Sequence, residues 1–168
     1  MRYSPAAFAL SLLAAVSAST GTAKVGDPAD PRAQILLEAG RSQLANGEID
    51  AAIDNFEAAL TIDPGYPGTF LALGQAARRA GLQGKAIHYY RQALAREPNN
   101  LAAISGEGSA FAEKGALEKA KANLARLQGL CGKACPEAEQ LAGVIAKGPI
   151  AKVVTAEAIK PAPKVESN

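Results

Sequence analysis

The sequence predicts an all-α fold: a right-handed solenoid of three helix–turn–helix hairpins, closed by a C-terminal capping helix. Three observations predict it. Glycine recurs every 34 residues in two families, Gly40, Gly74 and Gly108, then Gly47, Gly81 and Gly115. In the same register Ala52, Ala86 and Ala120 coincide, as do Phe56, Tyr90 and Leu124, while Pro64 and Pro98 close the first two copies. Within a copy, apolar residues return at helical spacing on two segments, such as Phe70, Leu73 and Ala77, then Ala86, Ile87, Tyr90, Ala93 and Leu94. Self-similarity at such a period marks stacked repeats, each copy burying its neighbour's apolar face.

Taken in chain order, the first 23 residues read as an export signal. Arg2 and the amino terminus are positive, Ala6 to Val16 is apolar apart from Ser11, and small residues offer cleavage after Ala18 or Ala23. The apolar run is shorter than the roughly 20 residues that a helix needs to cross a bilayer. A cleaved leader is therefore the reading and an uncleaved anchor the alternative, with no stable membrane insertion after cleavage. No cysteine ends the apolar run, which sets aside lipoprotein acylation. The mature chain is expected outside the cytosol, in the periplasm or secreted. Residues 24–30 form a linker that ends in Asp30-Pro31, an N-cap acid ahead of a helix-starting proline.

The repeat domain spans 31–147, with copies at 33–66, 67–100 and 101–132. Its first glycine column lies inside the first helix of each copy, where glycine costs about 1 kcal/mol relative to alanine. Close approach of the second helix of the hairpin offsets that cost. The second column falls at the turn, where a left-handed residue ends the first helix. The alanine column lets the helices cross closely, and Phe56 or Tyr90 fills the gap beyond. The closing proline cannot extend the second helix. The third copy departs from the pattern, with Leu127 in place of Ala59 and Ala93 and Gly132 in place of the proline.

Cys131 to Pro136 reads as a turn, after which Pro136, Glu137 and Glu139 begin a cap helix over 136–147 with acids near its positive end. Leu141, Val144 and Ile145 give that helix an apolar face to cover the exposed end of the solenoid. Three readings of Cys131 and Cys135 compete: a structural disulfide pinning the cap helix, free thiols, and redox or metal chemistry. Cysteines four apart on a glycine-containing turn reach disulfide geometry in an oxidising compartment. The redox motif has two intervening residues in a βαβ setting, and zinc needs four ligands where this chain adds only His88. From 148 to 168 no period is sustained and Lys160-Pro161-Ala162-Pro163-Lys164 reads as a disordered tail, a partner-binding peptide being the alternative.

No reactive centre emerges from the residues. The net charge of +2, without a dense basic tract, gives no argument for nucleic acid or an anionic membrane. His88 has Gly84, Lys85, Arg91 and Gln92 as helical neighbours, none of them a carboxylate to orient it. Glu48, Asp50, Asp54 and Glu57 read as solvated faces, and Gly81 to Ala86 fails the phosphate-loop spacing. The expectation is a non-enzyme without cofactor or metal.

The 34-residue pattern resembles the tetratricopeptide repeat, best in copy two through Phe70, Leu73, Gly74, Gly81, Ala86, Tyr90, Ala93 and Pro98. Copy one has Leu36 and Gln43 instead of an early aromatic, and copy three keeps Phe111 but loses the final alanine and proline. The resemblance implies a small exported bacterial protein that binds a peptide or partner protein in a concave groove. Carried over by position, that groove comprises Gln34, Leu37, Arg41, Leu44 and Ala45 from the first copy. Gly68, Leu71, Gln75, Arg78 and Arg79 follow from the second, then Ala102, Ser105, Ser109, Ala112 and Glu113 from the third. Such a wall mixes apolar anchors with basic charge and suits a peptide carrying apolar and acidic residues; alternatively, Arg78 and Arg79 merely solvate a helix end. The family's clamp for a terminal carboxylate is missing, since its positions hold Leu37, Arg41, Ala72, Ala102 and Gly106. The leading function is an adaptor or scaffold in the bacterial cell envelope. Alternatives are a self-associating homo-oligomeric solenoid, an accessory factor of pilus assembly or cytochrome maturation, or a thiol-dependent redox or metal-handling protein.

Overall fold

A computed structural model of the protein describes residues 29–150. The leader at 1–23, the linker as far as residue 28 and the tail from 151 lie outside the described residues. Among the described residues there are seven helices and no strand: α1 (Pro31–Ala45), α2 (Ile49–Ile62), α3 (Pro67–Arg79), α4 (Gln83–Arg96), α5 (Leu101–Glu113), α6 (Leu117–Cys131) and α7 (Pro136–Lys147). Three hairpins, α1/α2, α3/α4 and α5/α6, stack through α2 on α3 and α4 on α5, and α7 rests on both α5 and α6.

The first helix of each hairpin stops by the same device. Gly47, Gly81 and Gly115 take φ of +85°, +75° and +89°. Each donates its N–H to the carbonyl three residues back, and the next residue donates to Gln43, Ala77 or Phe111. These crossed bonds satisfy carbonyls that a helix end leaves orphaned, at a backbone angle glycine adopts without strain. Starts are equally local. The Asp30 carboxylate accepts from the Arg32 N–H at 2.8 Å, and the Asn100 side chain accepts from the Ala103 N–H at 2.9 Å. Pro67 and Pro136 open α3 and α7.

The other glycine column is a packing device. A Cβ built on Gly40 lies 2.5 Å from the Phe56 ring, and one built on Gly74 lies 2.8 Å from the Tyr90 ring. Each aromatic is buried against the bare backbone of its own hairpin partner. The third copy differs from the sequence expectation. At Gly108 the near neighbours are Leu141 of α7, at 2.6 Å, and Asn123, at 3.1 Å, so the cap helix supplies the filling group that Leu124 does not.

This arrangement places α5 at the centre. Every residue from Ala103 to Ala112 is buried, because α3, α4, α6 and α7 all lie against it. Its small side chains are what four neighbours require. The one acid in that stretch, Glu107, accepts from Arg91 Nε and Asn123 Nδ2, both at 2.9 Å, so its charge is paired as a buried carboxylate needs.

Candidate functional site

A cleft of about 310 Å³ opens between the second hairpin, the third hairpin and the cap helix. Gln75, Arg78 and Arg79 line it from α3, Ala102, Ser105 and Gly106 from α5, Tyr90 from α4, and Glu137 and Gln140 from α7. Polar groups of four helices thus converge on one space.

Two arginines are fixed in position. Arg78 Nε donates to Glu113 Oε1 at 3.0 Å, joining α3 to α5, with both side chains mostly shielded. Arg79 Nη1 donates to the Leu44 carbonyl at 2.6 Å, a cation on the negative end of α1. Ser105 Oγ donates to the Glu137 carbonyl at 3.0 Å and ties α7 to the cleft wall.

Tyr90 is the unusual member. The residue is 1% exposed, yet among the described residues its Oη has no hydrogen-bond partner. Its ring edge faces Gly106, where an added Cβ would lie 2.4 Å away. Burial holds the phenol above the ordinary tyrosine range, partly opposed by the Arg78 guanidinium, through its charge and its close approach to the hydroxyl, and reinforced by Glu113. Glu113 Oε2 is likewise buried without a partner among the described residues.

The groove inferred from repeat positions is brought together only in part. Gln75, Arg78, Arg79 and Ser105 line the cleft, and Glu113 stands behind Arg78. Leu37 and Leu44 are corrections: both are buried in the core of the first hairpin with Ala33, Ala52 and Phe56, and present no apolar anchor to a partner. Ser109 is a correction too, fully buried on α5 and not open to a ligand. Leu71 is half-buried against the central core, and Arg41 is exposed and paired with Glu38 on its own helix. Tyr90, Gly106, Glu137 and Gln140 join the cleft without having been expected there. Gly106 carried a signal, being a third-copy glycine outside both repeating columns.

Cys131 ends α6 and Cys135 directly precedes α7, so the expected turn shrinks to the residues between them. The structure joins the two in a disulfide, with Cα atoms 5.8 Å apart, beside a small core of Ile104, Leu127, Ala138 and Leu141. Glu137 lies nearby, its carboxylate and the two sulfurs within 4.8 Å of one another. That set is one donor short of a four-ligand zinc site, and its sulfurs are already bonded to each other. His88 is exposed and meets Tyr89 edge-on at 5.7 Å between ring centroids. No helix among the described residues is long and apolar enough to cross a membrane.

No curated protein matches this sequence significantly. Among solved structures, the first repeat domain of Spaghetti (RPAP3) bound to the HSP90 peptide SRMEEVD is 26% identical, with TM-score 0.63, over 69% of this chain and 92% of that one. The Sgt2 repeat domain from Aspergillus fumigatus is 24% identical, with TM-score 0.63, over 83% and 91%. The Yersinia enterocolitica type III secretion chaperone SycD, in complex with a peptide of the translocator YopD, is 21% identical, with TM-score 0.61, over 68% and 89%. The family model described as tetratricopeptide repeat matches residues 7–67 and 71–137, its first match taking in much of the segment read as a leader. With three glycine-stopped hairpins stacked in register and most of its length matched by that model, the chain belongs to the tetratricopeptide repeat family.

Proposed function

We propose that this protein is a non-catalytic interaction module that holds a peptide or partner protein at the cleft between its second and third hairpins and its cap helix. The convergence of Gln75, Arg78, Arg79, Tyr90 and Gln140 on one open space carries the reading. The similar domain of RPAP3 holds an HSP90 peptide, and the SycD chaperone, of like fold, holds a peptide of YopD. The wall here is polar rather than mixed, since Leu37 and Leu44 are spent on the core.

We further propose that the chain works outside the cytosol, in a bacterial envelope. The positive start at Arg2, the apolar run from Ala6 to Val16 and the Cys131–Cys135 bond support that location. A display selection of random peptides on the purified chain, followed by amide-shift mapping, tests the binding reading. Shifts centred on α3, α5 and α7 are expected; peptides that perturb only the opposite face would overturn it. Residues 1–23 fused to a phosphatase that matures only outside the cytosol test the location, and an inactive fusion would count against it.

A second reading, self-association, draws on Ile35 and Leu130, which are 71% and 44% exposed. Sedimentation across a concentration series separates it from peptide binding.

A further inference from the structure

We infer that α7 is a self-association surface: its outer face pairs antiparallel with α7 of a second copy, crossing at Gly143 and setting Glu139 of each chain against Lys147 of the other. This pairing rests on the self-association reading above, not on peptide binding, and gives it a face other than Ile35 and Leu130. An unfilled place in the repeat is the first support. α7 stops as the first helices of the hairpins do, with Gly148 at φ +75° donating its N–H to the Ile145 carbonyl. Yet among the described residues no second helix follows it. On α1, Leu37, Gly40 and Leu44 are buried in the core that α1 shares with α2. Three 34-residue periods later the same places hold Glu139, Ala142 and Ala146, all exposed. The two alanines leave room for another helix to come close.

Gly143 is the second support. A glycine inside a helix costs about 1 kcal/mol relative to alanine. Gly40, Gly74, Gly106 and Gly108 each meet a packed side chain, whereas nothing lies within 4 Å of a Cβ built on Gly143. Gly84 and Gly129 are open too, but they stand near the ends of α4 and α6. Charge then names the occupant. Glu139 and Lys147 are exposed, and neither is in an ion pair among the described residues. They stand four residues before and four after Gly143, on one side of the helix. A two-fold axis through Gly143 therefore sets each acid against the other chain's lysine, twice. Such a self-complementary patch is what an isologous dimer requires, and antiparallel pairing also sets the helix dipoles head to tail. One helix per subunit is a small contact, so the dimer is weak, with a Kd on the order of 0.1 mM.

Sedimentation equilibrium of the purified, oxidised chain across a concentration series tests the pairing. Wild type is expected to dimerise. Glu139→Lys and Lys147→Glu change exposed positions, so their folding is not at issue. Each sets like charges opposite one another at both ends of the contact and is expected to weaken dimerisation about 10-fold. Mixed one to one, the two variants are expected to associate at least as tightly as wild type, because each supplies the charge that the other lacks. Association that ignores both single changes, or a mixture no tighter than its components, overturns the α7 pairing and leaves self-association to another face. A wild-type chain still monomeric at about 1 mM overturns both and leaves the outer face of α7 to the helix of a different protein.

Discussion

Tyr90 lies with its ring edge on the backbone of Gly106: a Cβ built there sits 2.4 Å from both Cε1 and Cζ. On its other side the same ring meets Gly74, at 2.8 Å from a Cβ built there. A flat rigid side chain held between two glycines has nowhere to go. Gly106→Ala is therefore expected to lose about 1–3 kcal/mol as an overpacked core site. Gly143→Ala is the control, since nothing lies within 4 Å of a Cβ there and alanine is the better helix former by about 1 kcal/mol. Urea unfolding is expected to move the two variants in opposite directions; equal midpoints would remove the close approach.

Removing the hydroxyl instead of adding a methyl separates binding from folding. Tyr90→Phe deletes a buried group that makes no hydrogen bond among the described residues, so stability at neutral pH is expected to hold or rise by about 1 kcal/mol. The alkaline limb carries a second signature. Burial raises the folded phenol above its ordinary 10.0, so the unfolded chain ionises first and binds fewer protons. This group's contribution to stability is complete below pH 10 and is lost as pH climbs from there through the folded value. Wild type is expected to weaken more steeply above pH 10 than Tyr90→Phe, read as urea midpoints at several alkaline pH values; identical slopes would place the phenol in solvent.

Which features were legible in the residues follows from which forces are local. The turn glycines and the starting prolines act through the backbone of a few neighbours, so a 34-residue period displays them directly. Ala33, Leu37, Gly40 and Leu44 lie four, three and four apart, a single helical stripe that includes the buried glycine column. That spacing shows Leu37 and Leu44 to be core, a signal that an average repeat position overrides when carried over to one chain. The placement of α7 has no such periodic mark. Its seat on α5 as well as α6 comes from Leu141 reaching Gly108, a contact between segments more than thirty residues apart. Gln140 is brought to the cleft by that tertiary choice, which no short-range pattern encodes.

The cysteine pair offers a test of the oxidised cap. The unreduced, denatured chain is expected to show no titratable thiol, because its two cysteines are joined. The loop they close is short, so Cys131→Ser/Cys135→Ser is expected to cost at most about 2 kcal/mol in global stability. Amide exchange is expected to quicken mainly in α7 and at its start, where the bond acts. Two free thiols by titration, or faster exchange spread evenly over all helices, would contradict a local pin.

Leu141 carries the cap more heavily than the disulfide does. Its side chain is fully buried, shares a core with Ile104, Leu127 and Ala138, and occupies the space left by the missing side chain of Gly108. Leu141→Ala opens a cavity against Gly108, which has no side chain to close it. The expected loss is about 2–5 kcal/mol, the range for truncating a buried leucine. Since Ser105 and Gln140 hold their places in the cleft only while α7 stays seated, peptide binding is expected to fall even at temperatures where the first two hairpins remain folded. Circular dichroism and peptide titration on the same sample check both halves. A variant that unfolds at the wild-type midpoint, or one that keeps full affinity with α7 exchanging freely, would detach the cap helix from the binding surface.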